Sequence, residues 1–313
     1  MPDRPVVSVI VPTRDCLARL PAAIASIEGV ARTEIVVLDD DSEDGSRDWL
    51  ARAAQADPRL RVLVGPGAGP AKARNMAISA ARGRLLAFLD AEDLWHADKL
   101  ATQVALHTDN PDLAFSFTDY RDVGADGPVD GSGLVAWPWF HGRHGTNKDT
   151  FLLEDDALAQ IFAEPLVRTS TVVARTDLVR QLGGFDPSLP ATEDWDLWLR
   201  LAGRGKVACV PRILADLWLS SAPRQGLRRR VIGIRMIGER HGAAAERLNP
   251  RAPRIFSARL LNMEADVAAG ADRRWRAAWL RTKAWRQVPN GSSMRAAISA
   301  LQRAMTVPWG LMP

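Results

Sequence analysis

Arg84-Leu85-Leu86-Ala87-Phe88-Leu89-Asp90-Ala91-Glu92-Asp93 is the most telling stretch of this 313-residue chain. An unbroken apolar run stops abruptly at three carboxylates. A short continuous run of this kind, closed by a polar turn, is the pattern of a strand buried on both faces. Such strands belong to helix-covered parallel sheets, whose ligands collect beyond the carboxyl ends of the strands. Three like charges at that place repel one another unless a cation joins them. Hard oxygen donors at close spacing suit Mg2+ or Mn2+ that also binds phosphate oxygens. A solvated acidic turn that caps the next helix, with Asp93 near its N-terminus, accounts for the same residues without a metal.

Upstream, the apolar residues 6–11 stop at Pro12, and Leu17, Leu20, Ile24 and Ile27 recur at helical spacing. Residues 34–38 run into Asp39-Asp40-Asp41-Ser42, and a helix follows from Gly45-Ser46. Residues 60–64 form a third strand, the glycine-rich stretch 65–70 a tight turn, and residues 71–81 a helix. Four β–α alternations in the first hundred residues predict a mostly parallel α/β sheet covered on both faces. The glycine-rich stretch has Pro70 where a dinucleotide fingerprint needs its third glycine, and no Gly-Lys-Ser/Thr follows it. Lys72 and Arg74, near the start of the helix, are placed to reach phosphates.

Downstream, residues 113–120 read as a strand, 124–150 as a loop, 151–162 as a helix and 168–174 as a strand. Beyond the turn at 183–187, Trp195, Trp198, Leu199 and Ala202 mark the buried stripe of a helix whose first turn carries Glu193 and Asp194. Acids there complement the helix macrodipole. Alternatively, one of them is a general base that takes the proton of an attacking hydroxyl. Trp195 and Trp198 either wall that site or pack in the core, the core being the expected place of Trp198.

With 47% hydrophobic residues the chain buries a core and is not disordered. Its two cysteines, Cys16 and Cys209, stand far apart, which excludes a disulfide framework and a CxxC zinc site and fits a reducing compartment. The start, Met1-Pro2-Asp3-Arg4-Pro5, does not read as a cleavable signal, and no window reaches the roughly 18 apolar residues of a spanning helix. Residues 1–220 carry 23 basic and 32 acidic residues (23 − 32 = −9), and residues 221–313 carry 18 and 5 (18 − 5 = +13), which together give the net +4. Two regions of opposite charge suggest two tasks. In the basic region, residues 272–286 alternate arginine with tryptophan, and Trp275, Trp279 and Leu280 are expected to share one helical face. That pattern fits an interfacial helix on anionic lipid or a bundle with tryptophan in its core and arginine at its rim. Nucleic acid is not an expected partner, given the acidic first two-thirds of the chain.

Taken together, these stretches resemble the family 2 inverting glycosyltransferases of GT-A fold, over residues 6–215. The family's V-P-T-x-N stands here as Val11-Pro12-Thr13-Arg14-Asp15, and its D-D-G-S-x-D-G-S turn as Asp39-Asp40-Asp41-Ser42-Glu43-Asp44-Gly45-Ser46. A-R-N is Ala73-Arg74-Asn75. F-L-D-x-D-D is Phe88-Leu89-Asp90-Ala91-Glu92-Asp93, followed by Trp95, Lys99, Leu100 and Gln103. The G-G-F-D and E-D-W-D-L-W-L-R blocks lie between Gly183 and Arg200. Residues 223–313 read from their own pattern as a basic, Trp/Arg-rich helical region. The resemblance implies a GT-A three-layer α/β sandwich over residues 1–222 and Mn2+ or Mg2+ as cofactor. It implies that Pro12, Thr13 and Asp39 line the nucleoside pocket, that Arg74 touches the nucleotide, and that Asp90 and Glu92 hold the ribose and the metal–diphosphate. Asp194 corresponds to the catalytic base, with Glu193 and Trp195 placing the acceptor.

Three positions depart from the family pattern. Arg14 stands where an aromatic residue is frequent, so base stacking falls to a guanidinium plane; Asp41 replaces a turn glycine; Glu92 is one methylene longer than the usual aspartate. The implied donor is a nucleotide-diphosphate sugar, with a UDP-sugar expected. The implied acceptor is a glycan, lipid-linked oligosaccharide or protein, met in the cytoplasm or peripherally at the inner face of the cell membrane. The competing reading is a catalytically silent relative that binds a nucleotide-sugar or glycan. A nucleotidyltransferase does not fit, because Pro12-Thr13-Arg14-Asp15 is not the glycine loop of that class.

Overall fold

The computed structural model describes residues 4–28, 30–153, 155–219 and 224–305. The expected β–α alternation is present as β1 (Val7–Thr13), α1 (Leu20–Ala25), β2 (Thr33–Asp39), α2 (Ser46–Ala56), β3 (Leu60–Val64), α3 (Pro70–Ala80) and β4 (Leu85–Phe88). Strands β1, β2 and β4 are almost wholly buried, as unbroken apolar runs require. Next come β5 (Leu94–Trp95), α4 (Lys99–Asp109), β6 (Leu113–Gly124), β7 (Gly127–Pro128), α5 (Pro138–His144), β8 (Phe151–Leu152) and α6 (Ala157–Ala163). The elements β9 (Val173–Arg175), α7 (Thr176–Gln181), α8 (Glu193–Ala202) and β10 (Lys206–Trp218) complete the sheet region.

The sheet order is β3-β2-β1-β4-β9-β6-β10-β5. Strands β1 to β4 pair in parallel, as do β6 and β10, while β9 lies antiparallel between β4 and β6. The central sheet is therefore mixed and mostly parallel, with the carboxyl ends of β1, β2 and β4 on one edge. Under it, Trp198 is fully buried, with ring centroids 5.5 Å from Phe88 and 5.9 Å from Phe115 and Phe185. Its core placement matches expectation.

Several local expectations change. Residues 151–162 are not one helix: Phe151-Leu152 pairs with β10, and α6 begins only at Ala157. The span 168–174 opens as a 3-10 turn, Thr169–Thr171, before β9. The segment 124–150 holds β7, a 3-10 turn and α5. Asp93 does not start a helix; β5 follows it, and α4 begins at Lys99.

By their contacts the described residues divide into two compact units. One holds the chain up to Ala157, Pro165–Ser188 and Glu193 to the end of β10; the other holds Leu158–Glu164, Leu189–Thr192 and the C-terminal helices. Those helices are α9 (Arg224–Leu248), α10 (Ala252–Gly270), α11 (Arg274–Gln287) and α12 (Gly291–Met305). The expected boundary at 222/223 and the first three residues lie outside the described residues. No described helix is long and apolar enough to cross a membrane.

Candidate active site

The site is built at the carboxyl edge of β1, β2 and β4, where a cleft of about 370 Å3 is lined by Pro12, Thr13, Arg14, Asp40, Arg74, Asp90 and Glu92, among others. A larger depression, about 590 Å3, lies at the opposite end of β4 among Arg4, Arg84, His107 and Arg175. Parallel sheets present their ligand sites beyond the carboxyl ends of their strands, so the smaller cleft is the candidate.

Backbone geometry shapes the cleft. Asp41 has φ +69° and Asp15 φ +49°, left-handed positions that favour glycine or a short polar side chain. Asp41 thus occupies the turn position expected of glycine. The loops after β1 and β2 are stitched together: Ser42 Oγ accepts from the Asp15 amide at 3.0 Å, and Asp15 Oδ1 from the Glu43 amide at 2.7 Å. Asp40 was not foreseen as a site residue. Its carboxylate accepts the amides of Ala68 (3.0 Å) and Gly69 (2.7 Å), so it holds the glycine-rich turn against the cleft. Asp39 is fully buried, and its carboxylate is engaged by the Ser42 amide and by Arg47 Nε at 2.8 Å. Thr13 Oγ1 is buried with no partner among the described residues.

Arg74 is the pivot. It is buried, and donates to Asp90 Oδ1 at 2.7 Å and to Glu193 Oε1 at 3.2 Å. Burial would lower the pKa of this guanidinium, but the carboxylates of Asp90, Glu193 and Asp194 outweigh it and hold the pKa above the usual value. The next residue, Asn75, clamps the turn before α8, donating to Phe185 O at 2.7 Å and accepting its amide at 2.8 Å. At Gly184, with φ +70°, a Cβ would sit 2.3 Å from Asn75 Oδ1, so the clamp requires glycine there. The Ala-Arg-Asn and Gly-Gly-Phe-Asp motifs are thus one structural joint.

Asp194 lies in the first turn of α8, half-buried, and accepts from Thr169 Oγ1 at 2.9 Å and from the Trp195 amide at 2.7 Å. Glu193 is buried beside it. Burial first, and the charge of Asp194 second, raise the Glu193 carboxyl above its ordinary range, with Arg74 opposing. Trp195 is buried as well. Pro12, Thr13, Arg14, Arg74, Asp90 and Glu92 therefore share the cleft, and the Arg74–Glu193 bond ties it to the start of α8 next to Asp194.

The three carboxylates at the end of β4 separate. Asp93 turns inward, accepting from Ser170 Oγ at 2.5 Å and from the Trp218 amide at 2.9 Å. Burial, then the charge of Asp90, push its carboxyl up to about 7. Glu92 remains at the cleft, 3.4 Å from Arg19 Nη1, and that guanidinium stacks 3.8 Å from the Trp218 ring centroid.

The turn Thr169–Thr171 is the feature that the sequence reading missed. Ser170 Oγ accepts the Asp90 amide at 3.0 Å as well as donating to Asp93, and Ser170 O accepts Trp95 Nε1 at 2.7 Å. Thr171 O accepts from Gln103, whose Oε1 takes a bond from the fully buried Lys99 at 2.9 Å. One short turn therefore holds both the Asp90 loop and Asp194. Its only sequence signal is three successive hydroxyl residues before Val-Val-Ala.

A divalent cation suits the chemistry of the cleft. Asp90 and Glu92 bring carboxylate oxygens to one cleft; burial, then the charge of Asp90, raise the Glu92 carboxyl, with Arg19 opposing. No group of three or more His, Cys, Asp or Glu among the described residues is arranged to hold a metal. A Mg2+-type site needs only one or two protein carboxylates when phosphates and water supply the rest.

Comparison with known proteins agrees with this architecture. The model of glycosyl transferase family 2 matches residues 8–155. A Bacillus subtilis protein named as a teichuronic acid biosynthesis glycosyltransferase is 31% identical over 209 residues, 66% of this chain and 75% of its own length. Among solved structures, S. aureus TarS 1–349 in complex with UDP-GlcNAc superposes with TM-score 0.58 at 16% identity, over 95% of this chain and 92% of that one. A mannosyltransferase from Pyrobaculum calidifontis in complex with GDP-Man and Mn2+ gives 0.57 at 22% identity, over 97% and 82%. The two structures share the GT-A fold with this chain.

Proposed function

Because the chain belongs to the family 2 glycosyltransferases, and so is a transferase of glycan biosynthesis, we propose that it moves a sugar with inversion from a nucleoside-diphosphate sugar to an acceptor hydroxyl. The observation that carries this reading is the single buried guanidinium of Arg74, which joins Asp90 in the cleft to Glu193 beside Asp194. Donor recognition and base are thereby held in one rigid frame, as proximity requires.

In this reading Pro12, Thr13, Arg14 and Arg74 hold the nucleotide, and Asp39 supports the pocket from behind, since its carboxylate is already engaged. Asp194 accepts the proton of the acceptor hydroxyl while that oxygen bonds to the anomeric carbon. The bond from that carbon to the diphosphate breaks, and the nucleoside diphosphate leaves with the electron pair. Asp90 and Glu92 would hold Mn2+ or Mg2+, which supplies charge stabilisation to the leaving group when bound. Glu193 and Trp195 orient the acceptor. Residues 1–222 carry the reaction and 223–313 form a separate helical region. A UDP-sugar is the proposed donor and a glycan or lipid-linked acceptor the proposed partner, met at the cytoplasmic face of a membrane.

The test is a thermal-shift screen of UDP, GDP, CDP and dTDP with and without Mn2+, followed by turnover of the matching donor. A metal-requiring rise with one nucleotide, lost in Asp90→Ala, supports the donor site. Turnover lost in Asp194→Asn with nucleotide binding retained, and an inverted anomeric centre by NMR, support the mechanism. Full turnover in Asp194→Asn would overturn it.

A further inference from the structure

Helix α11 inverts the packing expected of an arginine- and tryptophan-rich segment. Its buried positions are Ala277, Ala278, Leu280 and Ala284. Ala277, Leu280 and Ala284 pack on Ala258, Leu261, Ala265 and Ala268 of α10, and Ala278 on Ala300 and Ala304 of α12. Leu280 therefore does not share a face with Trp275 and Trp279. Those two tryptophans are 56% and 60% exposed. At 100° per residue Trp275, Trp279, Lys283 and Arg286 fall on the side opposite the buried alanines, with Arg276 at its edge.

Exposing two indoles four residues apart wastes apolar surface in water, so the face calls for a partner. The charges around it say which. Arg276, Lys283 and Arg286 are exposed and have no ion-pair partner among the described residues, and Lys283 Nζ lies 5.1 Å from the Trp279 ring centroid. The neighbouring cations Arg274 and Arg281 are already paired, with Asp272 at 2.8 Å and Asp266 at 2.6 Å. Interfacial tryptophans flanked by unpaired cations match the headgroup layer of a bilayer: the rings sit at the apolar boundary and the cations meet acidic lipid. We propose that this outer face of α11 docks on an anionic lipid surface, the helix lying in the headgroup layer. This deepens the proposed membrane location of the enzyme, and its test is independent of sugar transfer.

The experiment is co-sedimentation of the full chain with vesicles of phosphatidylcholine containing 30% phosphatidylglycerol, against pure phosphatidylcholine, over a salt series. Binding to the acidic vesicles, weakened by salt, is expected. Each basic residue near an acidic surface is worth roughly a factor of five, so R276A/K283A/R286A should lose about a hundredfold. W275A/W279A should lose binding at all salt concentrations, and brominated lipid should quench wild-type tryptophan fluorescence but not that of this variant beyond its remaining rings. Removing equal charge elsewhere in the helical region, in R247A/R251A/R254A, should change little. An unchanged circular dichroism melt shows that each variant is folded. Equal loss in the control variant, no preference for acidic vesicles, or a change of oligomeric mass in W275A/W279A without vesicle binding would each overturn the proposal.

Discussion

Arg74→Met asks whether one guanidinium holds the cleft and the start of α8 together. The Arg74 side chain is 9% exposed, that of Glu193 12% and that of Asp90 33%. The two bonds therefore weigh differently. Asp90 can regain water, so losing that bond costs little. Glu193 cannot, and at 3.2 Å the gross attraction to Arg74 is about 5 kcal/mol at an effective dielectric near 20. Leaving a buried charge without its partner typically costs about 3–5 kcal/mol. One term opposes this: Arg74 Nε is buried without a hydrogen-bond partner among the described residues, and methionine removes that unsatisfied donor, a gain of roughly 1–2 kcal/mol. The net loss expected is about 2–3 kcal/mol, or roughly 3–5 °C in Tm for a chain of this size. The assay is a double-mutant cycle by thermal or denaturant unfolding. Glu193→Gln in the Arg74→Met background should recover stability to within about 1 kcal/mol, because the stranded charge is gone. If Arg74→Met melts like wild type, or if Glu193→Gln adds to the loss, the pair is not the joint described here.

Further expectations follow from the same geometry. Thr169→Val should lower kcat about tenfold, the worth of one hydrogen bond to a carboxylate, with donor KM unchanged and activity restored in Thr169→Ser; an unchanged kcat would show that Asp194 needs no such support. Ser170→Ala should weaken nucleotide-induced thermal stabilisation and cost roughly 1–3 kcal/mol, since it strips a bond from buried Asp93 and one from the Asp90 amide; a wild-type melt with and without nucleotide would contradict this. Burial lowers the pKa of His107 from 6.5 to about 4. Between these values the unfolded chain takes up a proton that the folded chain does not, so stability should fall by up to about 3 kcal/mol as pH drops from about 6.5 to 4. In His107→Gln the denaturant midpoint should lose that part of its acid slope, and identical slopes would refute the assignment. Glu92→Gln should abolish any Mn2+ dependence of the nucleotide thermal shift, and retained dependence would place the ion elsewhere.

The parts of the fold legible in the sequence are those where local signal and burial coincide. β1, β2 and β4 are short apolar runs cut off by Pro12, Asp39 and Asp90, and their buried two-faced setting demands that composition. β10 was not read as a strand because it does not alternate and is interrupted: Pro211 and Arg212 fall at a register shift between Val210 and Ile213. The helix expected over 151–162 failed for a related reason. Phe151 and Leu152 fit a helical stripe, but they are drawn into an edge pairing with Ala208 and Cys209, a long-range contact that no local pattern announces.

The site divides in the same way. Residues that line the cleft at the strand ends, Thr13, Asp90 and Glu92, stand out because charge or hydroxyl follows an apolar run. The residues that hold those groups in place do not, because their partners lie 77 positions away (Ser170 and Asp93), 119 (Arg74 and Glu193) or 25 (Thr169 and Asp194). A carboxylate at the head of a helix reads equally as a dipole complement or a base, and only the third group decides between them. Here Thr169 fixes one oxygen of Asp194, while Glu193 turns to Arg74. Adjacent acids in one helical turn thus take different partners from other elements. In the proposed mechanism the division of labour between Glu193 and Asp194 follows from the folded turn at 169–171 and from α3, and exchanging the two residues in the sequence should not exchange their roles.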